Sequence, residues 1–140
     1  MSHPAGLPKV FLDRSLGRYK VPTLLRTKGL NLVTLAEVYG VPEDQEVLDK
    51  DWLAKAGIEG WVVFTKDAAI RRNQLERERA STYGVRVFCL SRQGLTAEEM
   101  AGRFVNRLRH IAHACLRPGP FIYAVHRDTI ELLFAPEAKE

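Results

Sequence analysis

Short apolar blocks alternate with longer amphipathic or charged segments along most of this chain. Val10-Phe11-Leu12 is an uninterrupted apolar run that ends at Asp13, which is typical of a parallel strand buried on both faces. Residues 61–65 are all bulky or β-branched and give the clearest strand prediction. Further strands are predicted at residues 32–35, 85–90, 121–125 and 129–134.

The intervening segments carry helix signals. Residues 15–28 hold Pro22 near the expected start of a helix and are followed by Gly29. A second helix is predicted to begin at Asp49 as its N-cap, a third covers the charged residues 68–83, and the longest begins with a capping box at Thr96. This alternation predicts a three-layer α/β domain with a mostly parallel central sheet, flanked by helices and ending in a C-terminal β-hairpin.

Length and composition narrow the possible classes of protein. A chain of 140 residues predicts a single domain, 1–140, with its core at about residues 9–135. The apolar runs are too short to span a bilayer and no signal-peptide pattern is present, so we predict a cytoplasmic protein that does not associate with membranes. Cys89 and Cys115 lie among core-type residues and are predicted to be reduced and buried. The net charge of +4 suits a polyanionic partner without establishing one.

Acidic residues occur where predicted strands end. Asp13, Glu37 and Asp67 follow the first three strands, and Asp49 lies at the start of the helix that leads to the third. Ligands of open parallel sheets bind outside the carboxyl ends of the strands, so these four acids are expected to converge. Taken singly, each has a structural interpretation, either as an N-cap or as a surface charge. Taken together, four carboxylates require a cation, and oxygen ligands favour Mg²⁺ or Mn²⁺, which can activate water for phosphodiester hydrolysis.

At these residues the chain resembles the PIN-like nucleases, in particular the compact branch related to VapC-type toxins of toxin–antitoxin systems. The resemblance rests on Val10-Phe11-Leu12-Asp13, on Ala36-Glu37-Val38-Tyr39-Gly40, on Asp49-Lys50-Asp51-Trp52-Leu53-Ala54, and on residues 60–67 followed by Ile70-Arg71-Arg72. It implies a metal-dependent endoribonuclease that acts through metal-activated water, with four metal-binding and catalytic acids, Asp13, Glu37, Asp49 and Asp67. Asp49 is preferred to Asp51 because it lies three residues before Trp52, and Thr65 would support Asp67 or the water.

The resemblance also sets expectations for partners. It implies an RNA substrate, a cognate antitoxin protein and a possible homodimer. Many PIN domains carry another acid after the last Asp, whereas Ala68 follows Asp67 here, so binding of one metal and binding of two both remain open.

Four basic residues near the predicted acids are candidates for binding RNA phosphates: Arg14, Lys66, Arg71 and Arg72. Arg103, Arg107 and His110 are interpreted as a solvated face of the longest helix. Two alternatives to a nuclease remain at this stage. One is a catalytically silent PIN-like module that binds RNA or protein. The other is a receiver-like phospho-acceptor domain, which would need adjacent acids where this chain has Asp13-Arg14.

Overall fold

The computed structural model describes residues 3–136, except for the side chains of Arg71 and Glu76. Six strands form one sheet in the spatial order β2-β1-β3-β4-β5-β6. Every neighbouring pair is parallel except β5 and β6, which form an antiparallel hairpin at one edge. The strands are β1 (Val10–Leu12), β2 (Leu32–Thr34), β3 (Val62–Thr65), β4 (Arg86–Leu90), β5 (Phe121–Val125) and β6 (Ile130–Phe134).

Seven α-helices lie on the two faces of this sheet in the described part of the chain. They are α1 (Lys20–Thr27), α2 (Leu35–Tyr39), α3 (Asp49–Glu59), α4 (Ala68–Arg72), α5 (Gln74–Tyr83), α6 (Ala97–Asn106) and α7 (Leu108–Ala114). Buried residues of α1, α6 and α7 belong to one hydrophobic cluster, and those of α2 to α5 belong to another. The predicted three-layer α/β architecture with its C-terminal hairpin is therefore confirmed.

Side chains of each central strand point alternately into these two clusters. On β1, Val10 and Leu12 pack with α1, α6 and α7, whereas Phe11 packs on the opposite face. The Phe11 ring stacks on that of Trp52 in α3 at a centroid distance of 5.5 Å. All three β1 residues are fully buried because the strand is central and covered on both faces. This burial fixes the point at which the chain leaves the sheet, which is Asp13.

Several predicted helices differ from the observed ones. The segment 15–28 is not one helix, because a short 3₁₀ turn, Arg14–Leu16, overlaps its start and α1 begins only at Lys20. The charged segment 68–83 is interrupted at Asn73, whose side chain accepts a hydrogen bond from the Leu75 amide and starts a new helix. The segment after Thr96 has the predicted capping box but breaks at Arg107, whose Nη1 donates to the Asp128 carbonyl in the hairpin turn. Asp49 is the first residue of α3 rather than its N-cap, which is Leu48.

Cys89 and Cys115 are both buried and neither forms a disulfide with a described residue, as predicted. Burial raises the pKa of the Cys115 thiol to about 11, so that thiol is protonated at neutral pH. Within residues 3–136, no helix combines the length and the apolar character needed to cross a membrane.

Candidate active site

Asp13 lies at the carboxyl end of β1, between the ends of two parallel neighbours. Asp13 is only 3% exposed, although a carboxylate is normally in contact with solvent. The side chain begins the 3₁₀ turn that follows β1 by accepting a hydrogen bond from the Ser15 amide at 3.2 Å. The end of β1 therefore places the Asp13 carboxylate where it is almost completely shielded from solvent.

Two hydroxyl groups hold the Asp13 carboxylate. Ser15 Oγ donates to Oδ1 at 2.5 Å, and Thr65 Oγ1 at the end of β3 donates to Oδ2 at 2.7 Å. Both hydroxyls accept backbone N–H groups in turn, Ser15 from Lys66 and Thr65 from Asp67, each at 3.0 Å. Because each hydroxyl has one hydrogen and gives it to Asp13, their 3.1 Å separation is a contact between two acceptors. This network fixes the end of β1 to the end of β3.

Asp67 follows β3 at the same edge of the sheet. Its Oδ1 accepts the Ala69 amide at 2.9 Å and caps the short helix α4. Its own amide is held by Thr65, the residue that also bonds Asp13. The Thr65 side chain therefore contacts both the Asp13 carboxylate and the Asp67 backbone.

Asp49 is positioned by the aromatic core. Its Oδ1 accepts a hydrogen bond from Trp52 Nε1 at 3.0 Å, and Trp52 is buried against Phe11 of β1. The first turn of α3 thereby presents Asp49 toward the end of β1. Asp49, rather than its neighbour Asp51, is the α3 acid whose charge acts on Asp13.

The electrostatic surroundings of Asp13 are unfavourable to its charge. Burial raises the pKa of Asp13 from 3.8 to about 6, although the hydrogen bonds from Ser15 and Thr65 act in the opposite direction. The carboxylates of Asp67 and Asp49 raise this pKa further. Its two side-chain hydrogen bonds come from neutral hydroxyls rather than from a Lys or Arg. The charges of Asp49 and Asp67 therefore act on a buried carboxylate that a nearby cation would stabilise.

Glu37 is held differently. It is the third residue of α2 and completes a capping box with Thr34, accepting the Thr34 amide at 2.9 Å. Arg26 Nη2 donates to the same carboxylate at 2.6 Å. Burial alone would raise the pKa of Glu37, but the bonds from Arg26 and Thr34 lower it below its ordinary value. The fourth predicted acid is thus already neutralised by a cation of the chain.

The described side chains contain no ready-made metal cluster, since no group of three His, Cys, Asp or Glu residues in this part of the chain could hold an ion as placed. The donor chemistry nevertheless fits a hard divalent cation. Asp13, Asp49 and Asp67 offer only oxygen, the charges of Asp49 and Asp67 both act on Asp13, and Asp13 is buried without an ion-pair partner among the described side chains. Coordination would need rotation of carboxylates that now bond Ser15, Trp52 or backbone amides.

The four predicted phosphate-binding residues have different surroundings. The Arg14 guanidinium donates to the Asp44 carbonyl at 3.0 Å and to the Val47 carbonyl, so it anchors the loop before α3. The Lys66 backbone joins the hydroxyl network and is also bonded by Gln93. Arg72 is exposed and lines a cleft with α5 and Phe134. The side chain of Arg71 lies outside the described residues.

Two important residues were not predicted to have these roles. Ser15 bonds Asp13 directly, and the Asp-x-Ser spacing of a side-chain-capped turn was a signal for it. Asp44 in the loop before α3 is only 2% exposed and accepts two hydrogen bonds from the Arg18 guanidinium, at 3.0 and 2.8 Å. Nothing in the local sequence distinguishes Asp44 from its exposed neighbour Glu46.

Comparison with known proteins is consistent with this geometry. The family described as PIN like domain matches residues 8–92, a span that contains all four predicted acids. A curated protein described as "Putative ribonuclease VapC45", from Mycobacterium tuberculosis strain H37Rv, is 46% identical over 126 residues. That alignment covers 90% of this chain and 91% of the relative. No solved structure gives a significant match.

Proposed function

Because this chain belongs to the PIN-like domain family, as a nuclease of the VapC type, we propose that it is an Mg²⁺-dependent endoribonuclease that hydrolyses RNA phosphodiester bonds. The observation that carries the proposal is the buried Asp13, which lies among two further carboxylates and two hydroxyls at the carboxyl edge of the sheet. A structural carboxylate in such a position would ordinarily be paired with a cation of the chain. Family membership removes the receiver-like alternative.

Three acids and two hydroxyls have distinct roles in the proposed mechanism. Asp13, Asp49 and Asp67 would hold the Mg²⁺ ion, and Mn²⁺ offers similar chemistry. When bound, the ion supplies an acidified water and stabilises the charge that develops on the phosphodiester. Ser15 and Thr65 hold the Asp13 carboxylate at the ends of β1 and β3 until the ion binds. Glu37 would join this site only after exchanging its Arg26 partner.

The family and the relative also support a proposal about the biological setting. We propose that the protein is the toxin of a toxin–antitoxin pair, with RNA as substrate, a cognate antitoxin as protein partner and a homodimer as its assembly. It would act in the cytoplasm. Expression of the chain alone should then arrest growth, and co-expression of the protein encoded by a neighbouring gene should restore it.

The direct test is RNA cleavage by purified protein. Wild type should cleave single-stranded RNA with Mg²⁺ or Mn²⁺ and lose cleavage in excess EDTA. Asp13→Asn and Asp67→Asn should lose it in the presence of metal, because each removes a charged oxygen ligand. Persistent cleavage by both variants would contradict the assigned site, and an inactive wild type with intact RNA binding would support the silent-module alternative.

A further inference from the structure

A cationic pocket lies outside the acidic site, between α7 and the C-terminal hairpin. Its volume is about 600 Å³. The wall is formed by α7 and the residues after it, and the floor by β5 and β6. The polar and apolar residues that matter for its chemistry are Arg109, His110, His113, Arg117, Tyr123 and Ile130.

The charge of this pocket is of one sign. No Asp or Glu is among the described residues that line it. Arg109, His110, His113 and Arg117 are exposed, and within residues 3–136 none of them forms an ion pair. Guanidinium groups bind phosphates with two N–H groups at once, and an imidazole can donate a further hydrogen bond. The pocket is therefore suited to an anion with several acceptor oxygens.

The pocket runs parallel to the strands, from the carboxyl ends of the parallel strands toward their amino ends. At one end, Ile130 pairs with Val125, the last residue of β5, and Arg107 just before α7 bonds the hairpin turn. At the other end, the Arg117 carbonyl accepts a hydrogen bond from Arg86, the first residue of β4. The end of the pocket at Ile130 thus lies at the carboxyl ends of the parallel strands. Asp13 and Asp67 lie on this same side of the sheet.

The distance between the cationic pocket and the acidic site is one that a polymeric ligand can span. Four strand spacings separate β1 from β6, which is about 19 Å. A stacked single strand of RNA spans that distance with about six nucleotides at roughly 3.4 Å each. Tyr123, half-buried on the pocket floor, is held by stacking of its ring on Phe88 at a centroid distance of 5.4 Å.

We propose that this pocket binds backbone phosphates of RNA several nucleotides away from the bond that is cleaved. The inference rests on the proposed ribonuclease function for the identity of its ligand, but not for the presence of the pocket. It also changes the interpretation of the basic residues near the end of the chain. His110, assigned from the sequence to a solvated face with Arg103 and Arg107, belongs to a binding pocket, because the helix breaks at Arg107.

The first test measures binding alone, so it does not depend on catalysis. A fluorescent single-stranded dodecanucleotide RNA is titrated with protein that carries Asp13→Asn to prevent cleavage. Adding Arg109→Gln and Arg117→Gln should weaken binding about tenfold and reduce the salt dependence of log K by about 1.4, the value for two lost phosphate contacts on a single strand. The matched control is Lys9→Gln with Lys28→Gln, which removes the same charge from exposed positions elsewhere.

Equal binding and equal salt dependence of the two double variants would overturn the proposal. It would also be overturned if the arginine variant lost binding of inorganic phosphate or of an oligoglutamate peptide while its RNA affinity stayed unchanged, because the pocket would then serve a free phosphate or an acidic partner protein. Melting temperatures of both double variants should match the parent, since all four side chains are exposed.

The second test separates this inference from the proposed function. In active protein, Arg109→Gln with Arg117→Gln should raise KM for a dodecanucleotide about tenfold with little change in kcat, and should leave cleavage of a trinucleotide unchanged. If wild type cleaves RNA but the variants show no such difference, the nuclease proposal stands and the pocket assignment is wrong. If wild type does not cleave RNA, the binding experiment still decides the pocket assignment.

Discussion

Asp13 and Asp44 are both almost completely buried aspartates, at 3% and 2% exposure, but their surroundings act on them in opposite directions. Asp13 is held by the neutral hydroxyls of Ser15 and Thr65, and burial together with nearby carboxylates raises its pKa to about 6. Asp44 accepts two hydrogen bonds from Arg18, which hold its pKa below the ordinary value. Burial alone therefore does not identify a functional acid.

The difference lies in whether the folded chain itself supplies the compensating charge. Arg18 and Asp44 form a complete ion pair that stabilises the loop between α2 and α3. At the carboxyl ends of the strands, by contrast, no cation among the described side chains bonds Asp13, and the negative charges of Asp49 and Asp67 lie near it. We expect the first arrangement to contribute to stability and the second to reduce stability in return for function.

The largest expected effect is on catalysis. Asp13→Asn should lower kcat for RNA cleavage by about 10²–10³-fold, since it removes a charged group from the transition-state environment. The same substitution should not lower the melting temperature of the metal-free protein near pH 7, because it removes a destabilising charge. Asp44→Asn is the matched control and should retain most activity. A large loss of both activity and stability in Asp13→Asn would indicate a structural role.

The second effect concerns stability and pH. The pKa of Asp13 is higher in the folded protein, about 6, than its ordinary value of 3.8, so its contribution to stability is complete below pH 3.8 and is lost as pH rises through about 6. This difference corresponds to about 3 kcal/mol at 1.36 kcal/mol per pKa unit. Urea unfolding in EDTA should show that the free energy of unfolding of wild type falls, relative to that of Asp13→Asn, as pH rises. Parallel stability curves for the two proteins between pH 4 and about 7 would contradict it.

A third prediction concerns Glu37, the acid that the structure pairs with Arg26. Glu37→Gln keeps a side chain able to complete the capping box and removes only the charge. If Glu37 releases Arg26 and binds the metal, Glu37→Gln should lower activity about tenfold. This loss is smaller than the one expected for Asp13→Asn, because Glu37 is not held at the metal site before the metal binds. Arg26→Gln, by contrast, should not lower activity. An unchanged rate in Glu37→Gln would remove Glu37 from the site.

The smallest effect tests the structural half of the comparison. Asp44→Asn should lower the melting temperature by a few degrees, because Arg18 loses its charged partner. Its kcat should change little, since the Asp44 backbone carbonyl that anchors Arg14 is retained. A protein with unchanged stability would show that the Arg18–Asp44 pair contributes nothing measurable.

Much of this organisation could be predicted from the sequence, because strand ends follow from apolar patterning. The runs that precede Asp13 and Asp67 ended at the right residues, and parallel strands bring their carboxyl ends to one edge. The fold class and the C-terminal hairpin followed from the same alternation. Asp49 was favoured over Asp51 through Trp52, and the structure shows a hydrogen bond between Asp49 and Trp52.

What could not be predicted depends on contacts between residues distant in the chain. Arg26 lies eleven residues before Glu37, and Arg18 lies twenty-six before Asp44, so neither pair leaves a local pattern. The helix break at Arg107 depends on a carbonyl of the hairpin turn. The apolar periodicity of the sequence does not reveal this break, which places the basic residues that follow Arg107 over the C-terminal hairpin.

Calorimetric titration of Mg²⁺ into metal-free protein near pH 7 tests the central claim most directly, because it compares the two buried aspartates without requiring an RNA substrate. Wild type and Asp44→Asn should bind Mg²⁺ with similar affinity, whereas Asp13→Asn should bind at least about tenfold more weakly. Equal affinity in all three proteins, or a loss confined to Asp44→Asn, would contradict the assignment of Asp13 to the metal site.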